Sequence, residues 1–141
     1  MLQMVNAIFV YGTLQRGEQR ERCWPRKPSQ IEWGAIQGEL RDLGEYPALV
    51  IGESLILGEL WSFVEADIEA TLAMLDEIEG YSQDDDDLYV REVVACRTLQ
   101  GEARQAFTYR YANPQEIAMS PIILPDTDGF CRWTHRCRGG R

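Results

Sequence analysis

Apolar and polar positions divide the chain into short strands around one amphipathic helix. Ala7–Val10 is a brief apolar run closed by Gly12, the pattern of a buried first strand. The polar stretch Gln15–Cys23 reads as a solvated helix, broken by Trp24-Pro25-Arg26-Lys27-Pro28. Residues 31–40 and 55–63 read as strands, each carrying a Gly-Glu-Leu step (Gly38–Leu40 and Gly58–Leu60). Two copies are too few for a repeat protein and instead mark two strands of one sheet or barrel. Over 67–79, Ile68, Leu72, Leu75 and Ile78 recur at helical spacing on one face, with Asp67 as N-cap and Gly80 as the left-handed terminator. Residues 89–98 and 103–111 form two strands of a hairpin turning at Gln100-Gly101. Phe107, Tyr109 and Tyr111 alternate onto one face of the second strand.

Strands and helices do not alternate regularly, so a doubly wound sheet is not expected. The pattern predicts an α+β fold: a small mixed β-barrel or strongly curved sheet with a few flanking helices. We place one domain over residues 1–114 and an irregular extension with a basic tail over 115–141.

Composition narrows the chemistry. Hydrophobic residues make up 45% and charged residues 26% of the 141. No apolar run approaches the roughly 18 residues of a membrane helix, so no membrane partner is expected. The N-terminus reads as a strand rather than a signal, and the four cysteines do not resemble a disulfide scaffold, which points to a reducing cytoplasm. A net charge of −9 argues against nucleic acid. Residues 1–128 hold 10 basic and 23 acidic side chains, whereas 129–141 hold four basic and none acidic. Lys27 is the one lysine and His135 the one histidine, leaving little material for Schiff-base, His-relay or multi-histidine metal chemistry. Cys131, His135 and Cys137 would make at best an incomplete zinc site. The Asp84–Asp87 run lacks the spacing of a calcium loop and reads as solvated. Oligomeric state has no sequence signature here.

Two segments carry candidate chemistry. Phe9-Val10-Tyr11-Gly12-Thr13-Leu14 runs from a strand into a glycine turn whose backbone N–H groups suit a carboxylate, although most such turns only reverse the chain. It lacks the lysine of a Walker loop. Leu75–Tyr81 holds Asp76, Glu77 and Glu79 at the negative end of a helix dipole. Both the neighbouring carboxylates and the dipole push a carboxyl pKa upward, favouring a general base near neutrality; the alternative is a solvated acidic helix end. Glu79, just before Gly80, is best placed to face a cleft.

These segments, in order with Tyr46-Pro47-Ala48 and Tyr89-x-Arg91, resemble the γ-glutamylcyclotransferase-like superfamily, in particular its avirulence-induced and γ-glutamylamine cyclotransferase type. The resemblance implies cyclisation of a small-molecule γ-glutamyl substrate to 5-oxoproline with release of an amine or amino acid, without metal or other cofactor. It implies that Tyr11, Gly12, Thr13 and Leu14 hold the glutamyl moiety through backbone groups and that Glu79 is the catalytic residue. Tyr89 and Tyr109 are further cleft candidates, with core packing as the alternative, and Tyr46-Pro47 either walls the pocket or shapes a turn. Arg91 is expected to pair with an acidic neighbour. A rival reading is a non-catalytic ligand-binding or interaction domain on the same fold, its basic tail acting as a docking arm.

Overall fold

The computed structural model describes residues 5–82 and 87–133. The strands are β1 (Ala7–Val10), β2 (Gln30–Asp42), β3 (Pro47–Ser62), β4 (Tyr89–Thr98), β5 (Ala103–Tyr111) and β6 (Phe130–Cys131); helix α1 spans Glu65–Glu79. Pairing runs β1-β5-β4-β2-β3, and β3 returns to β1, closing a five-stranded mixed barrel. β1 lies parallel to β5 (Ile8 opposite Phe107) and antiparallel to β3 (Val10 opposite Glu59). The two-residue β6 adds alongside β3 in parallel.

Period-two alternation along β1 divides the core into two layers. Ala7, Phe9 and Tyr11 join Leu40, Ile56, Leu60 and Ala106 in one buried cluster, the barrel interior. Ile8 and Val10 join Trp61, Phe63 and Tyr109 in a second cluster, together with the apolar face of α1, Ile68, Leu72 and Leu75. The helix therefore packs against the outside of the barrel. Ile117 belongs to this helix-side cluster, and Cys131 and Trp133 belong to the interior.

Several local expectations change. The stretch Gln15–Cys23 is not a helix but a chain of turns ending in a single 3-10 turn at Glu21–Cys23. Gly17 has φ +81°, outside the helical region, and the Arg20 N–H donates to Thr13 O at 2.7 Å, folding the segment back on the β1 turn. β3 begins at Pro47, well before residue 55, because Pro47 occupies the first strand position and a register shift at Gly38/Glu39 absorbs Ile51, Gly52 and Glu53. Helix α1 begins at Glu65; Asp67 sits in its first turn, where its charge favours the helix dipole, and Val64 is the cap. The helix ends at Gly80, φ +71°. Asp87 is buried and accepts from both Ser82 N–H and Ser82 Oγ–H at 2.9 Å. Asp84–Asp86, His135, Cys137 and the tail beyond 133 lie outside the described residues. Among the described residues no helix is long and apolar enough to cross a membrane, and no group of three or more His, Cys, Asp or Glu is placed to hold a metal ion.

Candidate active site

β1 delivers Tyr11–Leu14 to one end of the barrel, and the turn that follows is fixed through its carbonyls. Gly12 O accepts from Gln15 N–H at 3.1 Å and from Gln15 Nε2 at 3.2 Å. Thr13 O accepts from Arg20 N–H, and Leu14 O from Trp24 Nε1 at 2.9 Å. Among the described residues the amides of Gly12, Thr13 and Leu14 find no acceptor, so the turn keeps donors for an anionic ligand. Glu59, only 2% exposed, anchors Arg16 just beyond the turn: Oε1 accepts from Arg16 N–H and Trp61 Nε1, and Oε2 from Arg16 Nε, each at 3.0 Å. Gly12 is glycine because of close approach. A Cβ there would lie 2.8 and 2.9 Å from Cδ and Cγ of Pro47.

A cavity of about 150 Å3 opens beside this turn. Its lining contains all seven residues singled out from the sequence, Tyr11, Gly12, Thr13, Leu14, Glu79, Tyr89 and Tyr109, together with Tyr46, Pro47 and Arg20. The Glu79 side chain is 19% exposed, and Arg20 Nη1 stands 3.8 Å from Glu79 Oε2. Burial raises the Glu79 pKa from 4.5 to about 7, and Arg20 partly opposes the shift. The upward direction expected from the sequence is therefore present, but its cause is desolvation rather than the flanking carboxylates. One of those carboxylates is engaged elsewhere: Asp76 accepts from Tyr109 Oη–H at 2.6 Å and from Arg91 Nη1 at 2.7 Å. This bridge ties the turn of α1 preceding Glu79 to β4 and β5.

The tyrosines face the cavity as neutral groups. Tyr11 Oη donates to Tyr109 O at 2.6 Å and Tyr89 Oη to Pro47 O at 3.1 Å. Burial pushes the pKa of Tyr11, Tyr89 and Tyr109 well above the ordinary phenol range, so none ionises near neutrality. Sequence reasoning missed Arg20 and Glu59. Arg20 is hidden in a polar run that mimics a solvated helix. Glu59 did carry a signal, a carboxylate inside the otherwise apolar Gly58–Trp61 step of a strand.

Barrel, single helix and helix-end carboxylate define a small α+β barrel protein with a carboxylate-bearing cleft. The chain belongs to the family described as gamma-glutamyl cyclotransferase, AIG2-like, whose model matches residues 8–129. It is 32% identical over 106 residues to the gamma-L-glutamyl-butirosin B gamma-glutamyl cyclotransferase of Niallia circulans, a match covering 74% of this chain and 65% of that relative. Among solved structures, an AIG2-like protein from Mus musculus shares the fold with a TM-score of 0.67 at 22% identity, over 94% of this chain and 97% of that one. Protein ytfP from Escherichia coli aligns with a TM-score of 0.58 at 28% identity, over 93% and 98% of the two chains.

Proposed function

We propose that the chain is a γ-glutamyl cyclotransferase that converts a γ-glutamyl amine or γ-glutamyl amino acid to 5-oxoproline and the free amine, with Glu79 as general acid and base. The observation that carries this reading is the half-buried Glu79 carboxylate, its pKa raised to about 7, in one cavity with the amides of Gly12, Thr13 and Leu14, which find no acceptor among the described residues. Family membership supports it.

The reaction follows from the arrangement. The turn amides receive the glutamyl α-carboxylate, which directs the α-ammonium toward Glu79. Glu79 takes one proton, and the freed amine attacks the γ-carbonyl carbon. A new C–N bond closes the five-membered ring, and the original C–N bond breaks as Glu79 returns the proton to the departing nitrogen. The ring nitrogen then gives its second proton through the regenerated Glu79 carboxylate to the released amine, which leaves as an ammonium. No electrons or water are consumed. Because nucleophile and electrophile belong to one molecule, holding the folded conformer supplies several kcal/mol of the rate enhancement.

The testing experiment is stoichiometric release of 5-oxoproline and amine from a panel of γ-glutamyl compounds; release of free glutamate instead would overturn the cyclisation. kcat/KM is expected to rise with pH about a midpoint near 7, as Glu79 gains its basic form in the free enzyme. A midpoint near 4.5 would show that the base titrates as an ordinary carboxylate and overturn the raised value. Asp76→Asn removes the charge that Tyr109 and Arg91 share. It is expected to lower stability by about 1–3 kcal/mol and kcat by roughly tenfold, with the pH midpoint retained. Denaturant unfolding and steady-state kinetics check both effects.

A further inference from the structure

Among the described residues, Glu79 and Arg20 are the two charged side chains lining the cavity. Arg20 is held by its own backbone, which donates to Thr13 O, while 40% of its side chain remains exposed. At 3.8 Å its contact with Glu79 is an ion-pair separation, too long for a hydrogen bond. Among the described residues no carboxylate engages the guanidinium fork in the two-point geometry that suits it.

The following step rests on the cyclotransferase reading. Once the substrate ammonium has given its proton to Glu79, and the turn amides hold the glutamyl α-carboxylate, both substrate charges are matched. Glu79 is then neutral, and Arg20 is left without a counter-charge beside the scissile nitrogen. We propose that Arg20 determines leaving-group specificity by binding a carboxylate on the carbon attached to that nitrogen, so that the preferred substrates are γ-glutamyl α-amino acids.

Covalent geometry supports this placement. In an α-amino acid the carboxyl carbon lies about 2.5 Å from its nitrogen. Glu79 must come within about 3 Å of the same nitrogen to return the proton. A guanidinium 3.8 Å from Glu79 is therefore within reach of that carboxylate. A leaving group carrying an ammonium there would meet like charge in a partly desolvated site.

The test compares γ-glutamyl-alanine with γ-glutamyl-ethylamide, which differ only by the leaving group's carboxylate. At pH 8.5, above the Glu79 titration, wild type is expected to favour the alanine compound by at least about tenfold in kcat/KM. In Arg20→Gln this ratio should collapse to within about twofold of one, chiefly through KM of the alanine compound, and Arg20→Lys should restore part of it. An unchanged ratio, or an equal loss on both compounds, overturns the assignment. Calorimetric binding of both compounds to Glu79→Gln, with and without Arg20→Gln, separates this inference from the reaction itself. A binding preference that depends on Arg20 upholds it even if neither compound turns over; equal affinities in both proteins overturn it.

Discussion

Glu79→Gln is expected to lower kcat by roughly a thousandfold, within the range for loss of a general acid–base group, while leaving KM nearly unchanged. The same substitution should stabilise the protein at alkaline pH. The carboxyl pKa stands at about 7 in the fold against 4.5 as its ordinary value. The folded state therefore holds its proton more tightly. The stability associated with the neutral carboxyl is fully present below about pH 4.5 and is lost as pH rises through about 7. By pH 8 the ionised, partly desolvated carboxylate costs up to roughly 3 kcal/mol. A glutamine of the same shape carries no charge and removes that cost. Denaturant unfolding should show Glu79→Gln more stable than wild type at pH 8, and equal to it at pH 4.5. Retained 5-oxoproline release would remove Glu79 from the mechanism. Equal stability at both pH values would show that burial does not oppose its ionisation.

Elements whose signals are local were legible in the sequence. β1, the β4–β5 hairpin and the end of α1 lie where apolar periodicity and glycine placed them, and Gly80 adopts the left-handed conformation that marks Glu79 as the last helical residue. What escaped depends on distant partners. The bond from Gln15 Nε2 to Trp133 O, at 3.2 Å, spans 118 positions. The grip of Glu59 on Arg16 spans 43. These contacts hold residues 15–23 as turns where polarity alone suggests a helix, and so place Arg20 at the cavity. The length of β3 was obscured because Ile51-Gly52-Glu53, which reads as a turn, sits at a register shift rather than in a connecting loop. For Glu79 the sequence identified the residue but not the cause of its shift, since burial under the β1 turn has no signature in neighbouring residues.

Gly12→Ala should produce the largest effect of any single methyl group at the site. The added carbon would stand 2.8 and 2.9 Å from Pro47, closer than real Cβ contacts permit. The obstacle is a proline ring at the start of β3, not the free end of a flexible chain, and Pro47 O also receives the Tyr89 hydroxyl. The turn must therefore shift. Overpacking of this kind costs about 1–3 kcal/mol. The functional loss should be larger in proportion, because the amides of Gly12, Thr13 and Leu14 move with the turn, and a displacement approaching 1 Å costs on the order of a hundredfold in kcat/KM. Gly101→Ala separates the two effects. Its position, at φ +91° in the β4–β5 turn, has open space around it, so alanine there strains the backbone without approaching the cavity. That variant should lose stability and keep kcat/KM. Trimming the obstacle in a Gly12→Ala/Pro47→Ala double variant should recover part of the lost kcat/KM, a positive coupling measured by the double-mutant cycle. Additive losses would show that Gly12 serves the turn for a reason other than its contact with Pro47.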